Sequence, residues 1–214
     1  LISVFAGGPV DALKTGMMGN EKNIILASEW IQKMKVTNVV IDPVIACKGT
    51  AQILQPKSVE GIKNHLLPHG LIATPNLVEA GILSGLGDLT TLDEVKEAAR
   101  LIHQRGVKNV VVKGGRRFAS EKAVDVFYDG KDFEVLEGEM IATDFNHGAG
   151  CTFAAAITAG LSKGMPVLEA VVLAKGFVAA AIKQGVAINP HVGHVWHGAY
   201  HQAENRIGQV SNHD

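Results

Sequence analysis

The sequence predicts an α/β fold of three layers, with helices on both faces of a mainly parallel central sheet and an antiparallel hairpin at one edge. Asn38-Val39-Val40-Ile41, Leu71-Ile72-Ala73-Thr74 and Asn109-Val110-Val111-Val112 are short, continuous apolar runs. Such runs suit parallel strands buried on both faces. Between and around them lie stretches whose apolar residues recur at helical spacing, among them 21–36, 58–67 and 91–105. Finally, Ala123–Tyr128 and Phe133-Glu134-Val135 flank Asp129-Gly130, a strong hairpin signal.

A chain of 214 residues suits one domain, and 47% hydrophobic residues with 24 glycines allow a sizeable core with close backbone approaches. The net charge of -1 supplies no basic field for nucleic acid or an acidic membrane. Cys47 and Cys151 are too few for a disulfide framework or a thiolate-only zinc site. With neither a signal peptide nor an apolar run of transmembrane length, a soluble, cytoplasmic protein with free thiols is expected.

In chain order, Leu1–Phe5 has the pattern of the end of an amphipathic helix already under way, which suggests residues upstream. Gly7-Gly8-Pro9 breaks it, and 11–17 predicts a short buried strand ending in a glycine turn. The helix over 21–36 places Trp30 and Met34 in the core. Near Leu71–Thr74, Thr74 suits an N-cap and Pro75 the first helical position. Two further helices, 152–161 and 167–184, join at Gly164-Met165-Pro166. The second is apolar nearly all round and is expected to be buried, with Lys175 as a snorkelling surface lysine in preference to a nucleotide contact. His191, His194, His197 and His201 lack a carboxylate or thiolate partner at ligand spacing, so local contacts are expected rather than zinc.

Ligand-type residues gather at the predicted strand ends. Asp42 follows a central strand, where open α/β sheets bind ligands, and suits a metal or a metal-bound water; Asp before Pro is also an ordinary turn starter. Asn76 and Glu79 share one helix face, fitting either a magnesium–phosphate site or local capping. Lys113, Gly114, Gly115, Arg116 and Arg117 crowd one strand terminus and suit a phosphate-binding loop; a solvated turn would explain the charges but not the glycines. Asn146-His147-Gly148-Ala149-Gly150-Cys151 precedes an apolar small-residue run. A helix starting at Gly150 or Cys151 would aim free N–H groups and its positive dipole end at an anion, favouring a Cys151 thiolate. The alternative is a turn capped by a small buried cysteine. Together these parts suit phosphoryl transfer without the P-loop signature.

Asp42-Pro43-Val44, Thr74-Pro75-Asn76-Leu77-Val78-Glu79, Val112-Lys113-Gly114-Gly115 and Asn146-His147-Gly148-Ala149-Gly150-Cys151 occur in the order seen in the ribokinase-like superfamily. The chain resembles the branch containing the hydroxymethylpyrimidine/phosphomethylpyrimidine kinases and the related bacterial pyridoxal kinases. The resemblance covers essentially the whole chain, 1–214, as one kinase domain lacking the family's amino-terminal strand and lid segment. It implies ATP and Mg2+, with Asn76 and Glu79 at the metal–phosphate site. Lys113 to Arg117 and Asp125 would lie at the nucleotide, and Gly150 beneath the transferred phosphate. Gly148, Ala149, Gly150 and Cys151 form the anion-hole motif, whose last residue is more often aspartate in the superfamily.

Cys47 lies in a segment that can fold over the substrate in such pyridoxal kinases, where a second thiol could add to an aldehyde or share a proton with Cys151. Met17 and Val44 match positions that wall a heteroaromatic ring, though either could be plain core. Trp196-His197-Gly198-Ala199-Tyr200 also favours pyridoxal over hydroxymethylpyrimidine as substrate. The leading expectation is phosphorylation of the pyridoxal 5′-hydroxymethyl group, with a hydroxymethylpyrimidine kinase or a non-catalytic nucleotide-binding fragment as alternatives. The resemblance also leans towards a homodimer.

Overall fold

Val39–Ile41 forms β2, wholly buried and paired in parallel on both sides, as its continuous apolar run requires. This computed structural model describes residues 2–45, 56–115, 122–189 and 192–201. Around β2 lie β1 (Leu13–Lys14), β3 (Ile72–Ala73), β4 (Asn109–Lys113), β5 (Lys122–Tyr128) and β6 (Phe133–Glu139). Among the described residues the main sheet runs β1-β2-β3-β4-β5-β6. The first four strands are parallel, and β5 and β6 add the antiparallel hairpin. Asp129 shapes its turn, its carboxylate accepting from the N–H groups of Lys131 and Asp132 at 2.8 Å each.

Helices complete the other layers. α1 (Ile2–Phe5) is followed by α2 (Glu21–Met34), α3 (Pro56–Gly61), α4 (Leu77–Ser84) and α5 (Leu92–His103). A π turn, Ile62–Leu66, and a 3-10 turn, Leu67–His69, continue α3. Ile24 and Ile31 of α2, Leu83 of α4 and Val95 and Ile102 of α5 pack with Val39, Ile41, Ala73, Val110 and Val112. α6 (Ala149–Ser162) and α7 (Val167–Lys183) cover the opposite face, with Phe153, Ile157, Ala170 and Val171 against Val40, Ile72 and Val111. The strict alternation along each strand thus assigns every strand-end residue to one face. A small antiparallel pair, β7 (Val186–Asn189) and β8 (Val192–His194), follows α7. No helix among the described residues is long and apolar enough to cross a membrane.

Three sequence expectations are corrected here. Trp30 and Met34 are only half-buried, because the buried stripe of α2 is Ile24, Ser28 and Ile31. Trp30 instead stacks on Phe5 with ring centroids 5.3 Å apart. α7 is not buried all round: it packs on α6 and β6, and Val172 and Leu173 face outward, 51% and 36% exposed. Finally, α4 is capped by Asn76 rather than Thr74. The carbonyl of Pro75 accepts from the N–H of Lys113 at 2.8 Å, and Asn76 bridges to Lys113, so ladder pairing holds Pro75 and Asn76 extended.

Candidate active site

The ends of β2, β3 and β4 and the start of α6 meet on the α6 face at the carboxyl edge of the sheet. Asp42 follows Ile41 and is buried, 2% exposed. Its Oδ1 accepts from Thr74 Oγ1 at 3.1 Å and from Lys113 Nζ at 3.4 Å. Lys113 Nζ also lies 3.5 Å from where a Cβ on Gly150 would stand. One ammonium group therefore touches the strand-end carboxylate and the helix start, joining segments far apart in sequence.

Glu79 is the acid of a complete capping box. Asn76 Oδ1 accepts from the Glu79 N–H at 3.0 Å, and Glu79 Oε2 accepts from the Asn76 N–H at 2.8 Å. Its Oε1 accepts from the Ile45 N–H at 3.4 Å. Burial pushes the Glu79 carboxyl above its ordinary value of 4.5; Lys113 and the Asn76 N–H pull down, and Asp42 pushes up again. Lys113 draws the Glu79 carboxyl down by more than the like charge of Asp42 pushes it up, so burial is what leaves the net shift upward. Two buried carboxylates near one ammonium group are a hard-oxygen donor set of the kind Mg2+ takes, one or two carboxylates with water and phosphate. Capping and metal binding are compatible, because a carboxylate oxygen has more than one lone pair.

α6 begins at Ala149, ahead of the expected start at Gly150 or Cys151, with Gly148 as N-cap at φ 83. The left-handed conformation at Gly148 suits glycine and turns the chain tightly. The Ala149 N–H returns to the Asn146 carbonyl at 3.2 Å, and the Thr152 N–H makes the first helical bond, to Gly148, at 2.9 Å. Among the described residues the N–H groups of Gly150 and Cys151 have no partner outside the helix, and the Lys113 ammonium lies beside Gly150 at this positive helix end. Cys151 is an exposed free thiol, which removes the buried-cysteine alternative.

Lys113 is paired across the ladder with Asp125 of β5. Asp125 Oδ1 accepts from the Gly114 N–H at 3.1 Å, and its Oδ2 accepts from Lys175 Nζ at 2.6 Å. Lys175 is therefore no snorkelling surface lysine: α7 turns it inward, its side chain 16% exposed, to hold a carboxylate beside the phosphate-loop candidates. Its pairing with a residue 50 positions away left no local signal. Gly115 closes the turn at φ 56. Met17 is exposed, hence not core, and follows β1 at the same sheet edge; Val44 is half-buried beyond Asp42. Cys47, Arg116 and Arg117 lie outside the described residues. So does His191, and among the described residues no three His, Cys, Asp or Glu side chains group to hold a metal. Thr74, Thr152 and His197 join the surroundings of the site without having been singled out as ligands.

Residues 1–196 match the phosphomethylpyrimidine kinase family. The chain belongs to this family. It is 48% identical over 199 residues to the pyridoxine kinase of Bacillus subtilis, covering 93% of this chain and 73% of that one. A solved structure of an ADP complex of Bacillus subtilis pyridoxal kinase superposes with a TM-score of 0.87 at 48% identity, covering 92% of this chain and 73% of that one. The Staphylococcus aureus pyridoxal kinase in complex with AMP-PCP and pyridoxal gives 0.86 at 43% identity, covering 93% and 71%. The ribokinase-like α/β fold and the kinase class expected from the motifs are thereby borne out.

Gly150 offers a test that separates site from scaffold. Its backbone is helical and, among the described residues, an added Cβ would meet only the Lys113 ammonium, at 3.5 Å. Gly150→Ala is expected to fold with an unchanged or higher Tm, since alanine favours helix over glycine by about 1 kcal/mol. Turnover is expected to fall about tenfold to a hundredfold if the methyl group crowds an anion held at this helix start. Melting curves and steady-state turnover of the same preparation check both.

Proposed function

We propose that this protein is a pyridoxal kinase, transferring the γ-phosphoryl group of ATP to the 5′-hydroxymethyl oxygen. The contact of Lys113 with both Asp42 and the Gly150 position carries this reading, because it supports a single site spanning the strand ends and the anion-hole turn. The similarity to pyridoxine and pyridoxal kinases supports the substrate class.

In this reading Lys113, Gly114, Gly115, Arg116, Arg117 and Asp125 serve the nucleotide, with Lys175 holding Asp125 in place. Asn76 fixes Glu79 through the capping box. Asp42 and Glu79 would hold Mg2+, which when bound offsets negative charge on the phosphates. Lys113 and the N–H groups of Gly150 and Cys151 stabilise charge on the oxygens of the transferred group. Cys151 Sγ serves as the base that takes the proton of the acceptor hydroxyl as the new O–P bond forms and the bond from phosphorus to the ADP oxygen breaks. Met17 and Val44 wall the ring, and Cys47 approaches the aldehyde. The same reading makes the protein a cytoplasmic homodimer; its dimeric part is checked by sedimentation.

The family also contains phosphomethylpyrimidine kinases, which makes hydroxymethylpyrimidine the competing acceptor. Specificity constants measured side by side for pyridoxal, pyridoxine and hydroxymethylpyrimidine decide between them. The highest kcat/KM is expected for a B6 vitamer; a preference for the pyrimidine would reassign the substrate.

A further inference from the structure

The anion-hole turn is gripped from outside by the segment that follows β7. On one side His147 pairs with β8: its N–H donates to the Gly193 carbonyl at 3.2 Å, and its carbonyl accepts from the Val195 N–H at 3.1 Å. The ring of Phe145 lies so close over Gly193 that no side chain could replace the hydrogen there. Val195 is buried, and its Cγ2 lies 3.8 Å from the position of a Cβ on Gly148. On the other side His197 Nε2 and Thr152 Oγ1 share a hydrogen bond of 2.9 Å. Thr152 directly follows Cys151 in the first turn of α6.

Two features make the Thr152–His197 contact more than local packing. A helical threonine usually bonds back to the carbonyl one turn earlier. Here the hydroxyl turns to a ring 45 residues away, and Thr152 is nine-tenths buried, so that partner cannot be replaced by bulk water. His197 is itself anchored to α7: its ring lies nearly parallel to Phe177, 16° between planes and 6.5 Å between centroids. The neighbouring Trp196 N–H donates to the Ala181 carbonyl at 3.0 Å. The first turn of α6 is thereby referenced to α7 through a side chain, while His147 references the preceding turn to β8.

We propose that His197 is a positioning residue for phosphoryl transfer, acting through Thr152 to fix where the Gly150 and Cys151 N–H groups and the Cys151 thiol stand. This rests on the roles proposed above for Gly150 and Cys151. His197 thereby serves the reaction without needing to touch ATP or the acceptor.

Thr152→Val, His197→Ala, the double variant, Thr152→Ser and His197→Gln test it. Thr152→Val and His197→Ala are each expected to lower kcat about tenfold, with the KM for ATP held within about twofold, as for a misplaced catalytic group. The double variant is expected to fall no further than the worse single one, because both remove the same interaction. Thr152→Ser and His197→Gln, which keep a hydrogen-bonding group, are expected to recover most of the loss. A second readout is the alkylation rate of Cys151 by iodoacetamide, followed on its own peptide by mass spectrometry. It should change alike in both single variants and the double variant. Losses that multiply in the double variant, or an unmoved kcat and alkylation rate, would overturn the proposal. Should the wild type phosphorylate neither B6 vitamers nor hydroxymethylpyrimidine, the proposed function fails, and the alkylation rates still decide whether His197 positions Cys151. If His197→Ala does not fold, the comparison of Thr152→Val with Thr152→Ser decides alone.

Discussion

Cys151→Ala is expected to lower turnover by about 10²–10⁴-fold, the range associated with a lost general base. Binding of a non-hydrolysable ATP analogue is expected to stay within about twofold of wild type, because alanine keeps the main-chain donors. Cys151 is the third residue of α6, exposed and beside Gly150, so alanine suits the helix and leaves the anion hole in place. What disappears is the sulfur proposed to receive the proton. Steady-state kinetics and a binding isotherm on one preparation measure both quantities; unchanged turnover would remove Cys151 from the mechanism.

The second large effect concerns Glu79, where catalysis and stability oppose one another. Glu79→Gln is expected to lower turnover about a hundredfold or more by removing half of the carboxylate pair proposed to hold the metal. In the native state burial raises the Glu79 carboxyl above 4.5. The unfolded chain therefore releases this proton at lower pH than the folded one. Native stability from this group is full below about 4.5 and is lost as pH rises through the raised folded value. Glutamine does not titrate. The difference in Tm, variant minus wild type, should thus grow in the variant's favour as pH rises from 4.5 towards neutrality. Melts across that range measure it, and a difference that shrinks with pH would contradict the electrostatic account of the site.

Much of the architecture was legible because its signals are local. Val39–Ile41 could be recognised as a doubly buried strand from composition alone, and Asp129-Gly130 marked the hairpin without reference to anything distant. Asp42, Lys113 and Gly150 were legible as ligand-type residues at element ends, although only folding brings the Lys113 ammonium between the other two. Features set by tertiary contacts were not readable. The cap of α4 moved from Thr74 to Asn76 because Lys113 claims the Pro75 carbonyl across the sheet. Lys175 turned inward because Asp125 meets it from another layer. Val172 and Leu173 remained exposed because helical periodicity records apolar residues but not whether another element covers them.

The central claim is that one ammonium, two carboxylates and two backbone donors act on the same phosphoryl group. A crystal structure of the protein with Mg2+, AMP-PCP and pyridoxal tests it most directly. The terminal phosphate is predicted to contact Lys113 Nζ and the Gly150 and Cys151 N–H groups, with the metal on Asp42 and Glu79 and the 5′-hydroxyl facing Cys151. A terminal phosphate bound away from Lys113, or a pyridoxal hydroxyl turned away from the α6 start, would contradict the account.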